Sequence, residues 1–359
     1  MKALFTLPIC LLAAAVAWAL PALAQQPLPK TQVKVIGPQS ETLTWKVSIQ
    51  PFFSEELPKL SNGQITADLV SMTALGLKGP EVFRMIKIGV ADLGATGTSY
   101  ASGEIPEMDG LDLAGLVQDV GTLRKVVDAY TPVLDRIMRE RAGVRMLAVW
   151  PTVQQALWCA VPIASLNDIR GKKVRVLGST QADFIRAGGG EPITMAPSEV
   201  VTAMQRGVID CAITGTESGN RAKWPEVATH LYPINLGWSL WILVANEKSW
   251  NAVDPKARDF IMENLKNVMI KRAWDIADEG SNQGIWCSVG DSRCTWDKGR
   301  GSTRYNIKLV PYTSADDQRR KELADATVLP AFAKRCGEAC TSTWNDTVGK
   351  ILGMTAKVR

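Results

Sequence analysis

Twice along the chain a short apolar strand gives way to an amphipathic helix and then to another strand, and this alternation restricts the fold more than any other feature. "QVKVIGP" reads as a first strand and "TLTWKVSIQPFFSEELPKL" as an amphipathic helix, closed by the "SNG" turn before the strand "QITADLVS". "GPEVFRMIKIG" is helical and "VADLGAT" is a short strand. The opening part therefore spells βαβαβ and predicts an α/β unit, a parallel sheet covered by helices on both faces. A long helix, "GTLRKVVDAYTPVLDRIMRERAG", then leads into the strand "VRMLAVWP".

From Val153 the same grammar starts again, with "QQALWCAV" as a strand, "SLNDIRG" as a short helix capped by Ser165, and "KVRVLG" as a strand. "TQADFIRAGG", "EPITMA", "PSEVVTAMQRG" and "VIDCAIT" continue the alternation as helix, strand, helix and strand. Two α/β units predict two lobes, and ligands of open α/β sheets lie beyond the carboxyl ends of the strands, so the expected site is a cleft between the lobes.

The N-terminus carries Lys2, the apolar run "ALFTLPICLLAAAVAWAL" and the small-residue triplet "ALA" before Gln25, the pattern of a cleavable secretory leader over residues 1–24. Export to the periplasm is the expectation, and no later run approaches the ~20 apolar residues that would insert the mature chain in a membrane. Six cysteines lie beyond the leader. An even set in an oxidising compartment is most simply paired. The short spacings in "CSVGDSRC" and "CGEAC" favour Cys287 with Cys294 and Cys336 with Cys340, which leaves Cys159 with Cys211; spacing alone leaves other pairings open.

A formal net charge of +5 with no basic run interleaved with aromatics argues against nucleic acid and suits small anions. Enzyme machinery is missing: His230 is the only histidine, neither GxSxG nor HExxH occurs, and the adjacent Glu55 and Glu56 do not face one another on a helix. "AGGGE" precedes a strand instead of opening a helix, which is wrong for cradling phosphate.

"DIRGKKVRVLGS", "PITMAPSEVVTAMQRGVIDCAITGTESG" and "LGWSLWILVANEKSWNAV", in that order and spacing, resemble the substrate-binding proteins of tripartite ATP-independent periplasmic (TRAP) transporters. The resemblance implies a two-lobed periplasmic binding protein-like fold with a long helix bracing both lobes. Lobe I would span 25–152 with a return segment at about 238–265, lobe II 153–237, and C-terminal helices 253–359 would brace both. It also implies a monomer that closes on a small organic anion, bending near residues 151–153 and 235–238, and delivers it to TRAP membrane permease subunits. The binding protein of an ATP-driven transporter would share the lobes; the Arg175 motif with its fixed distance to "SEVVTAMQRGVID" separates the two.

The resemblance places the family's carboxylate-binding arginine at Arg175, whose planar guanidinium can hold both oxygens at once. A structural ion pair, for instance with Asp168 or Asp210, is the competing role. Gln155 falls where some relatives carry a second arginine, so a monocarboxylate is favoured over a diacid. Glutamine there in some keto-acid binders holds a cation with an acidic neighbour, which makes Glu217 with Gln155 the candidate metal pair; no other cofactor is expected. Thr214 and the stacking Trp238 are expected in the cleft, joined from lobe I by Thr98, Ser99 and Tyr100, while Trp241 and Trp250 read as core. Towards the C-terminus, "VDPKARDFIMENLKNVMIKRAWDIADEGSNQGI" reads as the bracing helix, with Gly280 a weak point, and "CSVGDSRCTWDKGRGSTR" as an insertion stiffened by its disulfide.

Overall fold

The computed structural model describes residues 27–358; the expected leader lies outside the described residues. Among the described residues, eleven strands form two sheets. The first sheet contains β1 (Thr31–Gly37), β2 (Ile65–Ser71), β3 (Leu93–Gly97), β4 (Val144–Trp150) and β10 (Trp241–Asn246), in the order β2-β1-β3-β10-β4. The second contains β5 (Gln155–Cys159), β6 (Lys173–Val176), β7 (Glu191–Thr194), β8 (Cys211–Gly215), β9 (His230–Tyr232) and β11 (Lys308–Leu309), in the order β11-β9-β5-β8-β6-β7.

Each sheet is mixed where the alternation alone predicted parallel pairing. β10 runs antiparallel to β3 and β4, and β5 antiparallel to β8 and β9. Both are strands that arrive directly from the other lobe. The chain crosses once between β4 and β5, through residues 151–154, and returns between β9 and β10, through residues 233–240. A strand entering from the cleft side without a helical crossover runs opposite to strands that point into the cleft. β11, a strand from the C-terminal region, adds to the edge of the second sheet and was not anticipated.

Alternation along the second sheet sorts its side chains to two faces. Leu157, Cys159, Val174, Val176, Cys211 and Ile213 join the large core that continues into lobe I, whereas Ala156, Trp158 and Ala212 pack on the opposite face with Trp224. Cys159 and Cys211 are direct partners of β5 and β8 at a non-hydrogen-bonded position, with Cα atoms 4.0 Å apart, and are disulfide-bonded. The structure also contains the Cys287–Cys294 and Cys336–Cys340 bridges.

The expected brace is a helical run over residues 255–288 with one interruption at Ile276. Its first half packs on β4 and on the helical turns Thr44–Ile49 and Phe52–Glu56 of lobe I; its last part, Ala277–Ser288, packs on the helix Thr216–Arg221 of lobe II. Gly280 is a site of close approach within this last helix: a Cβ there would lie 2.9 Å from Val153 Cγ1. Leu329–Trp344 forms a second bridge, touching the turn Pro106–Leu111 in lobe I and the helix Ser179–Ala187 in lobe II.

Candidate functional site

The carboxyl ends of β3, β6 and β8 and the start of β5 meet at a pocket between the lobes. β3 ends in Gly97, and the turn Thr98–Ala101 that follows carries Thr98, Ser99 and Tyr100 into the lining. Gln155 opens β5 and Thr214 lies near the end of β8, and both also line the pocket.

Arg175 is 1% exposed and is not itself among the residues that line the pocket, although Trp224, which it packs against, is. On β6 it stands between Val174 and Val176, so its side chain takes the opposite face and meets Trp224, with the guanidinium carbon 5.7 Å from the indole centroid. Nε donates to the Met195 carbonyl at 3.1 Å and Nη1 to the Ile213 carbonyl at 2.7 Å. Nη2 is buried without a hydrogen-bond partner. No acidic side chain forms an ion pair with Arg175 among the described residues, and Asp168 and Asp210 instead accept backbone N–H groups of the loop and strand at 164–165 and 173. Burial pushes the guanidinium pKa down to about 10, opposed by the nearby Tyr100 and Glu199, so the group stays charged at neutral pH.

Gln155 is held by a relay. The Leu177 N–H donates to Gln181 Oε1 at 2.9 Å, and Gln181 Nε2 donates to Gln155 Oε1 at 2.7 Å. Both amides are buried and line the pocket.

Two expected members are elsewhere. Trp238 is 2% exposed and its indole N–H donates to the Val117 carbonyl, so it anchors the return crossing to lobe I instead of stacking in the cleft. Glu217 is fully buried against Arg221. Gln155 Oε1 accepts from Gln181 and Glu217 pairs with Arg221, and of the two only Gln155 lines the pocket. The aromatic wall comes from Trp224 and Trp241, the latter expected in the core.

Sequence reasoning also missed Gln181, Arg221, Asp109 and Asp112 in the lining. Asp112 Oδ2 accepts the Trp238 N–H at 2.7 Å, while Oδ1 is buried without a partner. Burial raises its pKa to about 7, with the Trp238 hydrogen bond acting in the opposite direction. Asp109 is likewise raised by burial, against Ser179 and Arg335, which pull it down.

Contacts also cross the cleft. Ser179 of lobe II hydrogen-bonds Asp109 of lobe I, and Lys78 pairs with Glu199 at 3.0 Å. Arg335 lies between Asp109 (3.3 Å) and Asp183 (2.5 Å). The lobes are closed on one another.

Two α/β lobes joined by paired crossings, closed over an unpaired cation, have the architecture of a periplasmic-type binding protein. Residues 40–285 match the model of the bacterial extracellular solute-binding proteins, family 7, and the chain belongs to that family. A solute-binding protein of Albidiferax ferrireducens is 28% identical over 58% of this chain and 63% of its own length. The chain thus spans a little under two thirds of the curated relatives first matched. A Bordetella pertussis extracytoplasmic solute receptor binding pyroglutamic acid superposes with a TM-score of 0.75 at 18% identity, over 89% of this chain and 99% of that one. A TRAP periplasmic solute-binding protein of Haemophilus influenzae with bound L-gulonate gives 0.76 at 18% identity, over 90% and 99%. At such identities the structures establish a shared fold. No helix among the described residues is long and apolar enough to cross a membrane.

Proposed function

We propose that the protein is an exported receptor, not an enzyme, that captures a small monocarboxylate between its lobes and delivers it to a TRAP membrane permease in the periplasm. The observation that carries this reading is the Arg175 guanidinium, buried, charged and left with a free Nη2. Leaving a cation unpaired in a desolvated site is costly, and an anion that enters with the closing lobe offsets that cost. Arg221, the arginine in the lining, is already paired with Glu217 and donates to the Arg300 carbonyl, and the lining also carries Asp109 and Asp112. A second carboxylate would meet an arginine whose charge Glu217 already matches, although its Nη1 has no hydrogen-bond partner, and would face these acids. Trp224, Trp241 and Tyr100 offer surface for an apolar or ring-shaped body.

Mass spectrometry of solute released from denatured protein should find one organic acid per chain. Titration calorimetry with that acid should show Arg175→Lys weaker by at least about tenfold, because lysine keeps the charge and loses the planar pair of donors. An Arg175→Lys protein that binds as tightly as the parent withdraws the carboxylate reading.

A further inference from the structure

We propose that Gln181 is a specificity-determining positioning residue: by occupying the Gln155 carbonyl oxygen it turns the Gln155 NH2 group toward the solute, so this end of the pocket offers donors to a carboxylate and no amide oxygen to a bridging cation. The inference rests on the carboxylate reading given above and deepens it.

The orientation follows from one fixed point. A backbone N–H can only donate, so the group that receives the Leu177 N–H at 2.9 Å is the Gln181 oxygen. The other end of that amide is then its nitrogen, and the atom it meets at 2.7 Å must accept, which makes it Gln155 Oε1. What remains of the Gln155 amide is Nε2. It makes no hydrogen bond to the protein among the described residues, and Gln155 lines the pocket. The relay is buried, with Gln155 7% and Gln181 5% exposed, so neither amide rotates without leaving a buried donor or acceptor unmet.

The two donors reach the strand ends from opposite faces of the second sheet. Arg175 occupies the Trp224 face, and Gln155, in phase with Leu157 and Cys159, the other. Near the end of β8, Gln155 is the register partner of Gly215 and Arg175 Nη1 reaches the Ile213 carbonyl. A cation bound here would need the Gln155 oxygen, and a carboxylate needs its nitrogen. Gln181 decides between them.

Gln181→Glu reverses the polarity, because a carboxylate can only accept: Gln155 must turn its NH2 toward position 181 and its oxygen toward the pocket. Calorimetry uses the mass-identified acid as its choline and its sodium salt. The parent should bind both salts equally; Gln181→Glu should bind the choline salt at least tenfold more weakly and recover part of that loss in sodium. Gln181→Met, which removes the relay without adding charge, should lose severalfold in either salt. Side-chain amide hydrogen exchange of the full chain, read by NMR without solute, should show Gln181 protected and Gln155 exchanging freely. Reversed protection, or Gln181→Met binding like the parent, overturns the proposal. So does a loss in Gln181→Glu that tracks its thermal stability and ignores sodium. An Arg175→Lys protein with undiminished affinity removes the carboxylate reading itself, whereas a weakened Arg175→Lys beside unaffected Gln181 variants removes only the role of Gln181.

Discussion

Arg175 differs from its buried counterparts in having no acidic partner: Arg320 pairs with Asp317, and Arg221 with Glu217. A structural arginine replaced by an isosteric apolar side chain leaves a buried carboxylate behind, and stability drops by about 3 to 5 kcal/mol. Arg175→Met leaves only two carbonyls short of a donor and removes a desolvated charge. Thermal unfolding of solute-free Arg175→Met should therefore change by less than about 1 kcal/mol or move upward. Asp112 makes a second residue-scale prediction. Its folded pKa of about 7 lies above the ordinary value of 3.8. Between those values the folded state holds the extra proton, so stability falls as pH rises from about 4 to 7. Asp112→Asn keeps an oxygen for the Trp238 N–H and should flatten that slope, by at most about 4 kcal/mol across the window; unfolding midpoints of the two proteins at pH 4 and pH 8 give the comparison. Gln155 and Thr214, expected in the cleft from the resemblance, line the pocket, whereas Arg175, expected from the same resemblance, is buried against Trp224 outside the lining. Trp238 was not legible. It lies in a crossing with Gly237 at φ 126° and Ser239 at φ 46°, and no period tells which side of such a segment faces solute. Gln181 left a signal that went unused, a polar amide among the buried residues Ala182, Phe184 and Ile185 of one helix.

Among the elements, the brace depends on small side chains. Gly284 crosses the start of the helix Thr216–Arg221 so closely that a Cβ would lie 2.3 Å from the Glu217 backbone nitrogen. Backbone cannot move aside as a side chain can, and the helix being displaced carries Ser218 and Arg221 of the pocket. Gly284→Ala should destabilise by about 1 to 3 kcal/mol in denaturant titration. Gly103→Ala, where a Cβ meets nothing within 4 Å, should stay within about 0.5 kcal/mol of the parent. Equal effects would mean that the loss of a glycine, and not the close crossing, sets the response. The brace could be read from its helical periodicity, but its glycines could not: Gly280 reads as a weak point until the partner across the interface is known. The mixed pairing was hidden for a similar reason, since a strand's direction depends on the lobe from which it enters and its own residues do not record that.

At the scale of the whole molecule, closure is held by polar contacts of two kinds, the exposed Lys78–Glu199 pair and the more buried Ser179–Asp109 and Arg335 contacts. Lys78 and Glu199 are 61% and 47% exposed, so solvent and salt screen their pair and it contributes little. Opening would break these contacts and rotate the lobes at the two crossings, residues 151–154 and 233–240, with the Ile276 interruption in the brace available to bend. Lobes that open should be trapped by a covalent bond placed where they touch. A Cβ on Gly178 of lobe II would lie 3.1 Å from Ser99 Cβ of lobe I, slightly inside the ~3.5 to 4.5 Å of a disulfide, and Gly178 does not occupy a positive-φ conformation. The double variant Ser99→Cys, Gly178→Cys, stripped of solute by unfolding and refolding under reducing conditions, should scatter as an open molecule with a larger radius of gyration. Oxidation should then lower that radius and make it insensitive to added solute, and reduction should restore the open value. A stripped protein whose radius is the same before and after oxidation does not open, and solute entry would have to be explained without lobe motion.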